Sequence, residues 1–219
     1  MRIQIIEDTV CPWCRIGKHN LHVALDQWRE THDEPVELEY LPYLLDPVES
    51  GSKENFRERF IKRKGLSPDM VASMFTRVTE VGKQAGITFN FDKIEIAVDT
   101  VPSHELIALT PAAKKADVIE AIMKAYFEDG RDIGEDDVLL RAARDGGLTD
   151  AELAEIEPIL RSHSTRDAIL AVIASVQQAG ITGVPFFIID GKVGVSGAQP
   201  PANFLQAFAQ SAATSSVAE

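Results

Sequence analysis

Cysteine is scarce in this chain: Cys11 and Cys14 are the only two among 219 residues. So few cysteines exclude a scaffold stapled by several disulfides. Long apolar runs are also missing, and none approaches the roughly 20 residues needed to span a bilayer. Basic residues are in deficit, 22 Lys and Arg against 34 Asp and Glu, which leaves a formal net charge of −12. That balance argues against nucleic acid or an anionic membrane as the main partner. The chain opens Met1-Arg2-Ile3 and enters a strand-like segment at once, with no charged n-region, apolar h-region or cleavage site. On this reading the protein is expected to be cytoplasmic, where a structural disulfide is unusual and a catalytic one plausible.

What is present is an ordinary globular mixture, 45% hydrophobic and 26% charged. It is long enough for one large domain or a domain carrying an insertion. The first part reads as strand (Ile3-Gln4-Ile5-Ile6), turn, helix with Leu21, Ala24, Leu25 and Trp28 on one face, then an alternating strand, Val36–Leu41. From about 53 to 165 the signals are mostly helical. Phe56 and Phe60 pair at i,i+4, and Ser67-Pro68 is an N-cap followed by proline at the first helical position. Thr149-Asp150-Ala151-Glu152 is a capping-box pattern. After 165 a helical face (Ile169, Val172, Ile173, Val176) precedes a buried-type strand, Val184–Ile189. Asp190-Gly191 then makes a two-residue hairpin turn into Val193–Gly197. A last helix is expected from about Pro201 to Phe208, with Ser211–Ser216 as a frayed tail. The order β-α-β, helical block, α-β-β-α predicts an α/β thioredoxin-like fold interrupted by a helical insertion. Residues 1–46 and 166–219 form one discontinuous domain and 47–165 the inserted one.

Cys11-Pro12-Trp13-Cys14 sits at the first strand-to-helix junction. Three readings are open for it: two buried thiols acting as small hydrophobes, a zinc site completed by His19 and His22, or a redox dithiol. Helix geometry opposes zinc. Cys14 and His19 lie roughly 140° apart around the axis, and His22 lies about 12 Å along it from Cys14. No metal is therefore expected. In the redox reading Cys11 is exposed at the helix N-terminus with a depressed pKa and attacks, whereas Cys14, one turn in, resolves. Arg15 and Lys18 are expected to be solvated, and Asp8 is either a proton relay or a loop cap. His19, His22 and His163 read as surface or helix residues.

Cys-Pro-Trp-Cys at this junction resembles the DsbA family, most closely its cytoplasmic FrnE-like branch. Gly183-Val184-Pro185-Phe186-Phe187, Tyr126-Phe127 with Gly130 and Asp132-Ile133-Gly134, and Ser196-Gly197-Ala198-Gln199-Pro200 carry the same likeness. The likeness covers nearly the whole chain apart from the tail. It implies a DsbA-like fold and thiol–disulfide oxidoreductase or isomerase activity. Cys11 and Cys14 are the catalytic pair; Pro12, Trp13, Val184 and Pro185 form the substrate-binding edge. Pro185 is expected to be a cis-proline facing the dithiol, leaving backbone groups of Val184 free to pair with an extended substrate. Beyond the Cys11–Cys14 disulfide itself no cofactor is implied, with glutathione as a candidate co-substrate. The expected partner is a protein, peptide or small thiol, and the protein a monomer or homodimer. The chain has Asp99-Thr100 and Ser103-His104 where relatives tend to have Asn-Thr and Ala-His, and His104 receives no catalytic role. Two alternatives stay open. Kappa-class glutathione transferases and hydroxychromene-carboxylate isomerases share the inserted-helix architecture, with a serine-type position where this chain has Cys11. A chaperone-like binding module with an idle dithiol is the other.

Overall fold

A computed structural model describes residues 1–215, and among them are four strands and nine α-helices. The chain divides into two compact units, Met1–Leu45 with the segment from Ile173 onward, and Asp46–Val172. Against the expected bounds at 46–47 and 165–166, the crossings fall at Leu45–Asp46 and, within helix α8 (Arg166–Gln178), at Val172–Ile173.

The first unit holds β1 (Arg2–Glu7), α1 (Pro12–Arg29), β2 (Glu37–Pro42), β3 (Phe186–Ile189), β4 (Val193–Ser196) and α9 (Pro201–Ser215). Its sheet has the order β2-β1-β3-β4, with β1 parallel to β2 and the other pairs antiparallel. Strand β1 lies between β2 and β3, with Ile3, Ile5 and Ile6 buried, Gln4 half-buried and Arg2 exposed. Ile3 and Ile5 join Phe187, Ile189 and Val195 in one cluster, packed on Leu21, Ala24, Leu25 and Trp28 of α1 and on Phe204 and Phe208 of α9. Ile6 belongs to a second cluster with Tyr43 and Val176, flanked by Leu41, Val184, Phe186 and Ile188.

The β3–β4 hairpin turns through Asp190 (φ 51°) and Gly191 (φ 67°), closed by the Lys192 N–H on the Ile189 carbonyl at 2.9 Å. Asp190 also accepts the backbone N–H of Arg2 at 2.7 Å and the hydroxyl of Ser211 at 2.7 Å. That second bond corrects the expected frayed tail. Ser211 is fully buried, so α9 continues through Ser215 instead of stopping near Phe208; Ser216 lies outside the described residues.

The second unit contains α2 (Phe56–Lys64), α3 (Pro68–Gln84), α4 (Val101–Leu109), α5 (Lys115–Phe127), α6 (Asp136–Asp145) and α7 (Asp150–Ser162). Its caps follow the local chemistry: Ser67 Oγ accepts the Met70 N–H at 3.3 Å, and Thr149 and Glu152 form the reciprocal capping box. The Phe56–Phe60 pair is one edge of a larger aromatic stack that includes Phe75, Phe91, Phe89 and Phe127. Gly146 ends α6 where a Cβ would come within 2.6 Å of the Val118 Cα, so α5 and the end of α6 approach too closely for any side chain. No helix among the described residues is long and apolar enough to cross a membrane.

Candidate active site

Strand β1 delivers the chain to a short turn, and Cys11 becomes the N-cap of α1 (φ −93°, ψ 107°). Pro12 follows at the first helical position, where the missing N–H has no intrahelical role. The Sγ of Cys11 accepts the Cys14 N–H at 3.3 Å, as a serine hydroxyl does in an ordinary cap. Both cysteines are free thiols. The Cys11 N–H donates to the Asp8 carbonyl at 3.0 Å, which pins the turn. Pro12 and Trp13 are half-buried.

Cys11 is not exposed, as its cap position had suggested, but 1% accessible. The carbonyl of Val184 lies 3.7 Å from its sulfur, so a group from a distant part of the sequence covers it. Cys14 is wholly buried, and its thiol is pushed well above the ordinary value. Burial is the main cause, followed by its hydrogen bond with Cys11 and the charges of Cys11 and Glu7, while a backbone bond from Asp8 acts in the opposite direction. The two sulfurs are therefore unequal in place: Cys11 caps the helix and accepts a first-turn N–H, whereas Cys14 is wholly buried, where its proton is retained.

Beneath the pair lies an ion pair that sequence reasoning missed. Lys18 and Arg15, expected in solvent, are 7% and 4% accessible. The Lys18 Nζ stands 2.8 Å from Oε2 of Glu7, itself 1% accessible, and neither group has another hydrogen-bond partner among the described residues. Glu7 closes an apolar strand, and Lys18 lies one turn beyond Cys14 on α1. The available signal was that Glu7 falls on the Ile3 and Ile5 face of the strand, but only the packing of α1 on that face buries it. Asp8 is buried too; its Oδ2 accepts the Leu45 N–H at 2.6 Å, which is the loop-capping role.

The antiparallel β1–β3 pairing, Ile6 opposite Phe186, brings Val184 and Pro185 beside the dithiol. The Val184–Pro185 peptide bond is cis. The β3 ladder starts at Phe186, paired with Ser196, so both residues precede the regular strand expected to include them. The Gly197 N–H donates to the Pro185 carbonyl at 2.8 Å. The structure thus brings Cys11, Cys14, Val184 and Pro185 together. On α1, His19 is exposed and His22 half-buried, with the pKa of His22 lowered first by burial and then by Lys18. His104 is buried in α4. Asp99 ties the start of that helix through the Val101 N–H (3.0 Å) and Arg166 (3.0 Å). His163, read as a surface or helix residue, is half-exposed at the end of α7. It caps α7 with φ 49° and holds the buried carboxylate of Glu105 at 2.8 Å.

A dithiol at the head of the helix that follows the first strand, with the carbonyl before a cis-proline against its first sulfur, is the arrangement of a thioredoxin-like site. The chain belongs to the DSBA-like thioredoxin domain family, whose profile matches residues 2–209. The probable DsbA oxidoreductase SCO1869 of Streptomyces coelicolor is similar in structure, with a TM-score of 0.82 and 26% identity, over 96% of this chain and 89% of that one. The cytosolic disulfide reductase DsbM of Pseudomonas aeruginosa, in a structure with GSH, shares the fold. Its TM-score is 0.63 and its identity 17%, over 94% of this chain and 96% of the other. In sequence, the uncharacterized protein YwbO of Bacillus subtilis is 24% identical over 195 residues, 88% of each chain.

Proposed function

We propose that this protein exchanges disulfides, with Cys11 as the attacking thiol and Cys14 as the resolving one. The observation that carries the reading is the Cys11 sulfur at the N-cap of α1, 3.3 Å from a backbone N–H of the first turn. The cap position sets Cys11 at the positive end of the helix dipole with a first-turn N–H on its sulfur, while burial keeps the proton on Cys14 until it is needed. In the reducing direction, the Cys11 thiolate attacks one sulfur of a substrate disulfide. A bond forms between them as the substrate S–S bond breaks, and the departing sulfur takes up a proton. Cys14 then loses its proton and attacks the Cys11 sulfur, which closes the intramolecular disulfide and releases the second substrate thiol. Two electrons pass from the dithiol to the substrate, and the reverse sequence oxidises a substrate dithiol.

Pro12, Trp13, Val184 and Pro185 form the substrate side of this reading, with an extended segment pairing to the backbone of Val184 ahead of the β3 ladder. The substrate class is a protein, peptide or small thiol, with glutathione as the small-thiol co-substrate. The test is Cys14→Ser. It should accumulate a mixed disulfide through Cys11 with a disulfide-bonded peptide, and the wild-type pair should titrate as a two-electron couple against a glutathione buffer. Turnover that survives Cys14→Ser indicates glutathione-dependent isomerase chemistry instead. Function that survives loss of both thiols indicates a binding module.

A further inference from the structure

Gly17 stands inside α1, where glycine is the weakest ordinary helix former. It is buried, and its backbone conformation does not demand a glycine. The reason for its presence is a neighbour. A Cβ at this position would lie 3.0 Å from Cγ of Pro185, 3.2 Å from Cζ of Phe187 and 3.4 Å from Cα of Ala198. One helical turn further, Asn20 donates its Nδ2 to the Gln199 carbonyl at 2.9 Å. The loop so held is tied to the proline segment by the bond from the Gly197 N–H to the Pro185 carbonyl. Gln199 closes the loop on itself, donating Nε2 to the Ser196 carbonyl at 2.9 Å and accepting Nδ2 of Asn203 at 2.8 Å.

We propose that Gly17 is a positioning residue whose missing side chain seats the Val184–Pro185 segment on α1 and so fixes the backbone that receives an extended substrate beside Cys11. Asn20 holds the same arrangement from the far side of the loop. This rests on the exchange reading above and deepens it, because it makes discrimination for extended peptides a property of the α1 face. A small disulfide without a backbone to pair needs only the Cys11 sulfur, whereas a peptide disulfide needs Val184 in register as well.

Gly17→Ala in the full chain tests this by two independent readouts. The first is hydrogen exchange at the Gly197 amide, which reports the seating without any activity. Protection there should fall by about tenfold, while amides of β1 keep theirs. The second is kinetic: KM for a disulfide-bridged peptide should rise by about tenfold, since small misplacements are costly in a positioned site, with the rate on hydroxyethyl disulfide within about twofold of wild type. Asn20→Ala, which adds no bulk, should move both readouts the same way by a smaller factor. Unchanged Gly197 protection in Gly17→Ala overturns the proposal whatever the kinetics, and so does an equal loss on both substrates. A wild-type protein that exchanges neither substrate overturns the exchange reading itself, and the hydrogen-exchange result then stands apart from it.

Discussion

Two glutamates are buried among the described residues, and their surroundings differ in kind. Glu105, on α4 of the helical unit, is fully inaccessible, yet its carboxylate is occupied on both oxygens, by the Thr165 hydroxyl at 2.8 Å and by His163 Nδ1 at 2.8 Å. Glu7, at the end of β1, has one lysine and no other hydrogen-bond partner among the described residues. The first is a joint: it ties α4 to the junction of α7 and α8 with a hydrogen bond on each of its oxygens. The second is a charge held beside the buried Cys14 thiol, whose pKa it pushes up. Burial does not separate the two acids; the completeness of their hydrogen bonding does.

The largest effect should come from Glu7→Gln, which leaves Lys18 buried without a counter-charge. Urea denaturation of the reduced protein should show a loss of about 3–5 kcal/mol, and Glu7→Gln with Lys18→Met should recover most of it. In the single variant the Cys14 pKa should fall, read from thiolate absorbance, because a nearby negative charge is gone and a positive one remains. An unchanged Cys14 titration would mean that Glu7 does not act on the thiol. Next comes Glu105→Ala, expected to cost about 2–3 kcal/mol by stranding His163 and Thr165, without moving the Cys14 titration. If Glu105→Ala shifts that titration as far as Glu7→Gln does, the distinction between the two acids fails.

A smaller, pH-dependent effect follows from Cys14 itself. Unfolded, its thiol ionises near the ordinary value of 9.0, whereas in the folded protein that value is raised. Between the two the folded chain holds the extra proton, so this contribution to stability is complete below pH 9.0 and is lost as pH rises above it. The slope is at most about 1.4 kcal/mol per pH unit. Reduced wild type should therefore lose stability faster than reduced Cys14→Ser in alkaline buffer, and parallel curves would contradict the raised pKa. Smallest is Thr165→Val, which removes one of the two donors to Glu105 and should cost about 1 kcal/mol in the same urea assay.

Much of the fold was legible because it depends on neighbours in the chain. Ser67-Pro68, the Thr149–Glu152 box and Asp190-Gly191 appear in the structure in the roles their chemistry predicts, since caps and turns are made by groups a few residues apart. The helix after Phe208 was not legible, because small polar residues carry no apolar stripe; Asp190, 21 residues away, accepts the Ser211 hydroxyl. Lys18 and Arg15 were misread for the same reason. Their place on α1 is local, but what they face is decided by β1 and the rest of the unit.

By itself, the sequence determined that this chain carries a single pair of thiols, with two residues between them, at the junction of its first strand and helix. Spacing and helix capping are short-range, so Cys11 as cap and Cys14 one turn in could be read directly. Only the tertiary structure decided that the Cys11 sulfur is covered by Val184, 173 residues away. It alone decided that Cys14 lies over a buried Glu7–Lys18 pair, and that Gly17 makes room for Pro185. Desolvation and close packing depend on distances through space, and those are set when β3 pairs with β1, not when the residues are written in order.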